Sequence, residues 1–152
     1  MALDPSEVLI LEHLQTNARL PNAKVAELTN ISESSCWRKT RLLEESGIIR
    51  RYAAIVDPKK MGLNFEAVVQ INLDRHDTEG VGGFVALLKQ CKEVIECLST
   101  TGDFDYLLRI VCQDIDAYND FIENRLFPNK SIRSMRTNVV LRRIKSDAPI
   151  SP

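Results

Sequence analysis

Apolar residues recur every three or four positions over the first third of the chain, and every second position over much of the remainder. Val8, Leu11 and Leu14 fall three apart with Ile10 beside them, which predicts a helix with one apolar face. Asp4 can cap it, and Pro5 and Glu7 suit its first turn. The stretch Thr16-Asn17-Ala18-Arg19 ends it. Asn22 to Thr29 reads as a second, short helix with Val25, Ala26 and Leu28 facing inward; Thr29-Asn30 breaks it and Ile31 plugs the turn. Ser32 is placed to cap a third helix, with Cys36, Thr40 and Leu43 on its buried side and Ser34, Ser35, Trp37, Arg38 and Arg41 projecting elsewhere. Gly47 stands where a helix ending in the left-handed conformation wants glycine, and Ile48-Ile49 is expected to drop into the small core. Arg50 to Val56 reads as a strand, a wing or a linker, closed by Asp57-Pro58.

From Asn64 the period changes. Ala67, Val69, Ile71 and Leu73 share one face of a strand, and Val68, Gln70 and Asn72 take the other. Gly82-Gly83 is expected to open a helix whose stripe is Phe84, Leu87 and Leu88. Val94 to Thr101 predicts a strand, Gly102-Asp103 a turn, and Phe104 to Cys112 another strand. Asp114 caps a helix with Tyr118, Phe121, Ile122 and Leu126 inward; Pro128-Asn129 stops it, and Ile132 to Lys145 predicts a long last strand. The order β-α-β-β-α-β is that of the ferredoxin-like plait, four antiparallel strands backed by two helices. The fold class expected is therefore α+β. A helix-turn-helix domain of winged-helix-like type occupies 1–49, a linker strand 50–62, and a βαββαβ domain 63–152. The helices cover one face of the sheet; the other mixes apolar and polar residues and is expected to meet another subunit.

Composition adds limits. An apolar fraction of 44% and a charged fraction of 27% are those of a soluble globular protein. No apolar run approaches the ~20 residues of a membrane helix, and no basic-then-apolar signal opens the chain. The cysteines at 36, 91, 97 and 112 form no C-x-x-C pair, and His13 and His76 stand apart from them, so buried thiols in a reducing cytosol are expected rather than a metal site. The net charge of −1 argues against a uniformly basic nucleic-acid binder. Basic charge is local instead, at Arg38, Lys39, Arg41, Arg50 and Arg51, and oligomerisation would line up several such patches.

Two short helices joined by a tight turn, the second of them basic, form a rod suited to the major groove of double-stranded DNA. Ser32, Ser34 and Ser35 near the N-terminus of the third helix suit phosphate contact, together with its free N–H groups. Arg38, Lys39 and Arg41 can reach phosphates or base edges, and Arg50 and Arg51 would hold the backbone. Trp37 either packs under the helix or sits against the DNA backbone. The plain alternative for the whole stretch is a solvated charged helix, since Glu33, Glu44 and Glu45 lie on it too.

In the second domain no spacing points to a metal cluster, a phosphate loop or a nucleophile-base pair. Asp105 follows the Gly102-Asp103-Phe104 turn in apolar surroundings. It either bonds backbone N–H groups of the turn or pairs with a ligand's ammonium group. Ser99, Thr101 and Asn138 are either ordinary strand positions or further polar groups for that ligand.

Leu3-Asp4 with Ile10-Leu11-x-x-Leu14-Gln15, Ile31-Ser32-x-x-x-Cys36-x-Arg38-x-Thr40-x-x-Leu43-x-x-x-Gly47-Ile48-Ile49, Ala53 to Pro58, Glu96-Cys97 and Gly102-Asp103-Phe104-Asp105-Tyr106-Leu107-Leu108 occur in this order. Together they resemble the Lrp/AsnC, or feast/famine, transcription regulators over nearly the whole chain. Thr40 replaces the family's usual aliphatic residue, and Leu42 stands where a basic one is common. The resemblance implies a C-terminal amino-acid-binding domain, pairing of sheets into dimers, and assembly of dimers into octamers around which DNA can wrap. It also implies an effector lying between subunits, with Ser99, Thr101, Gly102, Asp103, Asp105, Asn138, Val139 and Val140 matching the pocket region. The expectation is a cytoplasmic, sequence-specific transcription regulator that responds to a small amino acid, without metal, cofactor or enzymatic activity. Two alternatives accompany it. One is an amino-acid sensor whose helical head docks on a protein partner without DNA; the other is a small enzyme using Cys97 or Cys112.

Overall fold

The computed structural model describes residues 3–74 and 78–151. They divide into two compact units, Met1–Ile55 together with Ile144–Pro152, and Val56–Arg143.

The first unit holds α1 (Pro5–Thr16), α2 (Asn22–Thr29) and α3 (Glu33–Glu45) around a core of Ile10, Val25, Ala26, Cys36 and Leu43. Asp4 closes a capping box on α1: its carboxylate accepts from the N–H groups of Ser6 and Glu7, and Glu7 accepts from the Asp4 N–H in return. The buried faces differ in detail from expectation. Ile10, not Val8, is the fully buried residue of α1. On α2 the inward positions are Val25, Ala26 and Thr29, while Leu28 is 42% exposed. A threonine can take that place because its hydroxyl donates to the Val25 carbonyl at 2.7 Å and so loses no hydrogen bond. Ile49 packs on the core, but Ile48 stays exposed, because the chain reverses at Gly47 with φ of +75° and only one of the two isoleucines can point back. That reversal also closes the end of α3, with the N–H of Ile49 donating to the Leu43 carbonyl. At the other end of the chain, the Gln15 side chain bonds both the N–H and the C=O of Ile150, at 2.9 Å each.

Arg50 to Val56 is not a strand: among the described residues its backbone makes no backbone hydrogen bond. A strand needs a neighbour for its N–H and C=O groups, and β-type residues alone do not supply one.

The second unit runs β1 (Phe65–Leu73), α4 (Thr78–Gln90), β2 (Val94–Ser99), β3 (Tyr106–Cys112), α5 (Ile115–Phe121) and β4 (Ile132–Val139). The sheet order is β2-β3-β1-β4 with every pair antiparallel, the ferredoxin-like arrangement expected. Ala67, Val69, Ile71 and Leu73 are fully buried under the helices, against Phe84, Leu88, Tyr118, Phe121 and Leu126. Val69, Ile71 and Leu73 each contribute about 1.5–3 kcal/mol by leaving water. Several boundaries depart from expectation. Strand β2 ends at Ser99 and not Thr101, and β3 begins at Tyr106 and not Phe104, because the turn between them takes up Thr100 to Asp105. Helix α4 starts at Thr78, so Gly82-Gly83 lies inside it; packing of Val81 and Val85 on the core outweighs the weak helix propensity of glycine. The chain after α5 widens into a π-helical turn at Ile122–Leu126, the Phe127 N–H reaching the Ile122 carbonyl. Strand β4 ends at Val139; the Val140 N–H adds one bond to the Glu66 carbonyl, and beyond it Leu141 and Ile144 are almost fully exposed, with no strand pairing among the described residues.

Replacement of Gly47 by alanine is expected to destabilise the first unit by about 1 kcal/mol, because a Cβ is strained at that positive φ. Denaturant unfolding followed through Trp37 fluorescence measures this.

Candidate nucleic-acid interface and ligand face

The turn between α2 and α3 is rigid. Asn30 takes the left-handed conformation at φ 55°, the Ile31 N–H bonds the Ala26 carbonyl, and Ile31 packs on the core. The Asn22 amide donates to the Glu33 carbonyl at 2.9 Å, tying the start of α2 to the start of α3. Ser32 caps α3 by accepting from the Ser35 N–H at 3.3 Å, and its hydroxyl lies 3.3 Å from that of Ser34. Ser32 and Ser34 are exposed at the helix N-terminus, and Ser35 is half-buried.

The basic residues of α3 do not share one environment. Arg38 is exposed and makes no side-chain hydrogen bond or ion pair among the described residues; Arg50 and Arg51 are in the same state. Arg41 pairs with Glu45 at 2.7 Å and lies 5.3 Å over the ring of Trp37, which is itself 55% exposed. Trp37 therefore stands on the helix surface under a guanidinium and is not packed beneath the helix. Lys39 turns the other way, into an ion pair with Asp4 and toward Glu7 at 4.0 Å. Its side chain is only 20% exposed, so it fastens α3 to the cap of α1 and is not displayed with Arg38. Sequence spacing could not separate these neighbours, since the partner of Lys39 lies 35 residues away. Beside Trp37, a groove of about 320 Å³ runs among Leu14, Leu20, Val25, Thr40 and Tyr52. Burial and the Glu44 carboxylate, which accepts from the Tyr52 hydroxyl at 2.7 Å, push that phenol up to about 12.

In the second unit, Ser99, Thr101, Gly102 and Asp103 lie in and beside the exposed β2–β3 turn, with Gly102 at φ 110°. Asp105 anchors this turn to β1. Its carboxylate accepts from the Leu73 N–H at 3.0 Å, and its own N–H reaches the Ile71 carbonyl and the Asn72 side-chain oxygen, both at 3.1 Å. Asn138 and Val139 lie opposite Val68 and Ala67, and Val140 reaches Glu66, at the far end of β1. At about 3.3 Å per residue, these two groups stand on the order of 15 Å apart along the strand. One protomer therefore does not gather them into a single site. Between them lie residues that sequence reasoning passed over: Arg136 stacks at 5.7 Å over Phe104, and Asn72 donates to Ser134 at 3.3 Å. Alternation along β4 was their available signal, since Ser134, Arg136 and Asn138 pair with Asn72, Gln70 and Val68 on the face away from the helices.

Among the described residues no group of acidic, His or Cys side chains is placed to hold a metal; His76 lies outside them. Burial pushes all four thiols up, that of Cys112 to about 11 with help from the Glu93 and Asp114 carboxylates. Protonated thiols are poor nucleophiles, which removes the support for chemistry at Cys97 or Cys112. No helix among the described residues is long and apolar enough to cross a membrane.

Comparison with known proteins bears on both units. Residues 3–50 match the model of a winged helix-turn-helix DNA-binding domain, and residues 66–150 match that of the Lrp/AsnC ligand binding domain. The chain belongs to the Lrp/AsnC family. It is 34% identical to the transcriptional regulator AzlB of Bacillus subtilis over 91% of this chain and 88% of that protein. Among solved structures, it is similar to the transcriptional regulator NMB0573 of Neisseria meningitidis, solved in complex with L-Met: TM-score 0.94, 30% identity, 98% of this chain and 96% of that one. Escherichia coli AsnC superposes with TM-score 0.90 at 26% identity over the whole of both chains. Members of the Lrp/AsnC family are transcription regulators built from a helix-turn-helix and a ligand-binding domain, and not enzymes.

The cap of α1 gives a pH test. Bonds from Lys39, then the Ser6 hydroxyl and the Glu7 N–H, hold the Asp4 carboxyl well below its ordinary value of 3.8. A depressed carboxylate stabilises the folded state above its unfolded pKa, and that stabilisation is lost as pH falls toward the folded value. Asp4→Asn keeps a capping oxygen but loses the ion pair. Its thermal midpoint is expected to lie below wild type at pH 6, with the gap closing below pH ~4.

Proposed function

We propose that this Lrp/AsnC protein is a sequence-specific regulator that lays α3 in the major groove of double-stranded DNA and changes its activity on binding a small amino acid. The observation that carries the reading is the division of labour on α3: Lys39 fixes the helix to α1, while Arg38, on the exposed side, makes no hydrogen bond or ion pair through its side chain among the described residues, with Ser32 and Ser34 at the helix start. Arg38 is assigned to base edges, where a guanidinium can bond guanine bidentately. Ser32, Ser34, Ser35, Arg50 and Arg51 are assigned to phosphates, and Trp37 with Arg41 to the flank of the groove. Lys39 is assigned to positioning.

The effector is proposed to be held by Ser99, Thr101, Gly102, Asp103 and Asp105 of one subunit with Asn138, Val139 and Val140 of another. The separation of these two groups in one chain supports a site completed by a second copy. The L-Met bound to the Neisseria relative supports an amino acid as ligand. Dimers assembling to octamers in the cytoplasm would place several α3 rods on one DNA, offsetting the net charge of −1 on each chain. Ligand binding would act by favouring one arrangement of the heads over another.

Arg38→Ala is expected to lower specific operator affinity by about 1–3 kcal/mol, from about fivefold to on the order of 150-fold, with the oligomer unchanged. Arg51→Ala should weaken specific and random DNA alike and reduce the slope of log affinity against log salt by about 1. Unchanged gel-shift affinity in both variants overturns the assignment of α3, and salt-independent binding would favour a protein-docking head. A thermal-shift screen of the twenty amino acids should show one or a few stabilising ligands. Asp105→Ala should lose that shift while still binding DNA; a normal shift in that variant puts the ligand elsewhere.

A further inference from the structure

We infer that the sheet face turned away from the helices selects a second copy of this same chain through a four-membered ladder of alternating charge. The inference rests on the homo-oligomer proposed above and names what sets its register. Glu96 on β2, Arg109 on β3, Glu66 on β1 and Arg143 just beyond β4 form a row across the strand order. Arg109 lies 3.5 Å from Glu96 through Nη1 and 3.5 Å from Glu66 through Nε. Glu66 accepts from Arg143 at 2.8 and 3.0 Å. The signs read minus, plus, minus, plus, and the neighbours on the same face include Val68, Leu98 and Leu107.

The order of the signs decides which partner fits. A two-fold axis lying in the interface and perpendicular to the row lays the row antiparallel on its own copy, so the first member meets the fourth and the second meets the third; an axis along the row would set like on like, and the charges select against it. With four alternating charges every encounter is between opposites: Glu96 meets the copy's Arg143, and Arg109 meets the copy's Glu66. A row of three alternating charges would place like on like. The row is therefore self-complementary, and a chain with a similar apolar face but another charge order would meet repulsion. Arg109 supplies a second observation. Its side chain is 36% exposed and its contacts to Glu66 and Glu96 are long, 3.5 Å each, so the accessible part of this guanidinium has donor capacity that a facing carboxylate would use.

The test exchanges the outer members of the ladder. Glu96→Lys and Arg143→Glu are prepared separately in the full chain, checked for folding by circular dichroism, and compared with wild type by sedimentation, alone and as an equimolar mixture. Each variant alone should self-associate at least tenfold more weakly than wild type, since two like-charge encounters are created. The mixture should recover most of the association, because the introduced lysine meets the introduced glutamate and the native pair remains on the other side. If folded variants associate as tightly as wild type, or the mixture recovers nothing, the ladder is not the register device, while a dimeric wild type would leave the oligomer reading intact. A monomeric wild type overturns that reading itself. Should a charge-reversed variant fail to fold, Glu96→Gln and Arg143→Gln take its place, each expected to weaken self-association several-fold; unchanged association again overturns the inference.

Discussion

Ala67, Val69, Ile71 and Leu73 are sealed beneath two helices, and because side chains alternate along a strand, Glu66, Val68, Gln70 and Asn72 must face the other way. That one constraint organises the second unit. It places hydrophobic burial, the main source of stability, on one side of β1 and leaves the other side for ion pairs and amides that a core would not tolerate. A register shift of one residue would bury Glu66 and expose Ile71, so the pairing with β3 and β4 is strongly specified. The sheet's open face, its charge row and the turn held by Asp105 all follow from that choice of face.

In the first unit the corresponding constraint is electrostatic. Asp4 serves α1 as a cap and α3 as an anchor, so the entry of one helix and the orientation of another depend on a single carboxylate. Two neighbouring cations on α3 then have different work. Lys39, mostly covered, holds the helix in place, while Arg38 is exposed and makes no ion pair among the described residues. Helix α3 is held at Lys39, at the Asn22–Glu33 bond and at Ile31, so the proposed contact with DNA would not have to spend binding energy on ordering it.

The helices, the order of the strands and the capping residues were legible because each rests on local chemistry: periodicity, a side-chain oxygen ahead of a helix, a glycine behind it. The errors have a common origin. Arg50–Val56 carries strand-forming residues, yet strand status belongs to a pair, and no described segment pairs with its backbone. The last strand was read six residues too long for the same reason, since β1 offers no partner past Glu66. Leu28 and Thr29 exchanged places because burial is a property of the helix's angle to its neighbours, and a satisfied hydroxyl can go inside. Gly82-Gly83 stands within a helix because the core holds the turn around it.

The sequence by itself determined the two-part architecture, the family, the rod from Ser32 to Ser46 and the local concentration of basic charge, all of which depend on residues close together in the chain. Tertiary structure alone decided which cations remain available, that the proposed effector residues fall into two separate groups, and that Glu96, Arg109, Glu66 and Arg143 stand in one row. Those outcomes depend on distances between residues 13 to 77 positions apart, as for Arg109 with Glu96, Lys39 with Asp4 and Arg143 with Glu66. A local pattern carries no information about which distant side chain will arrive beside it.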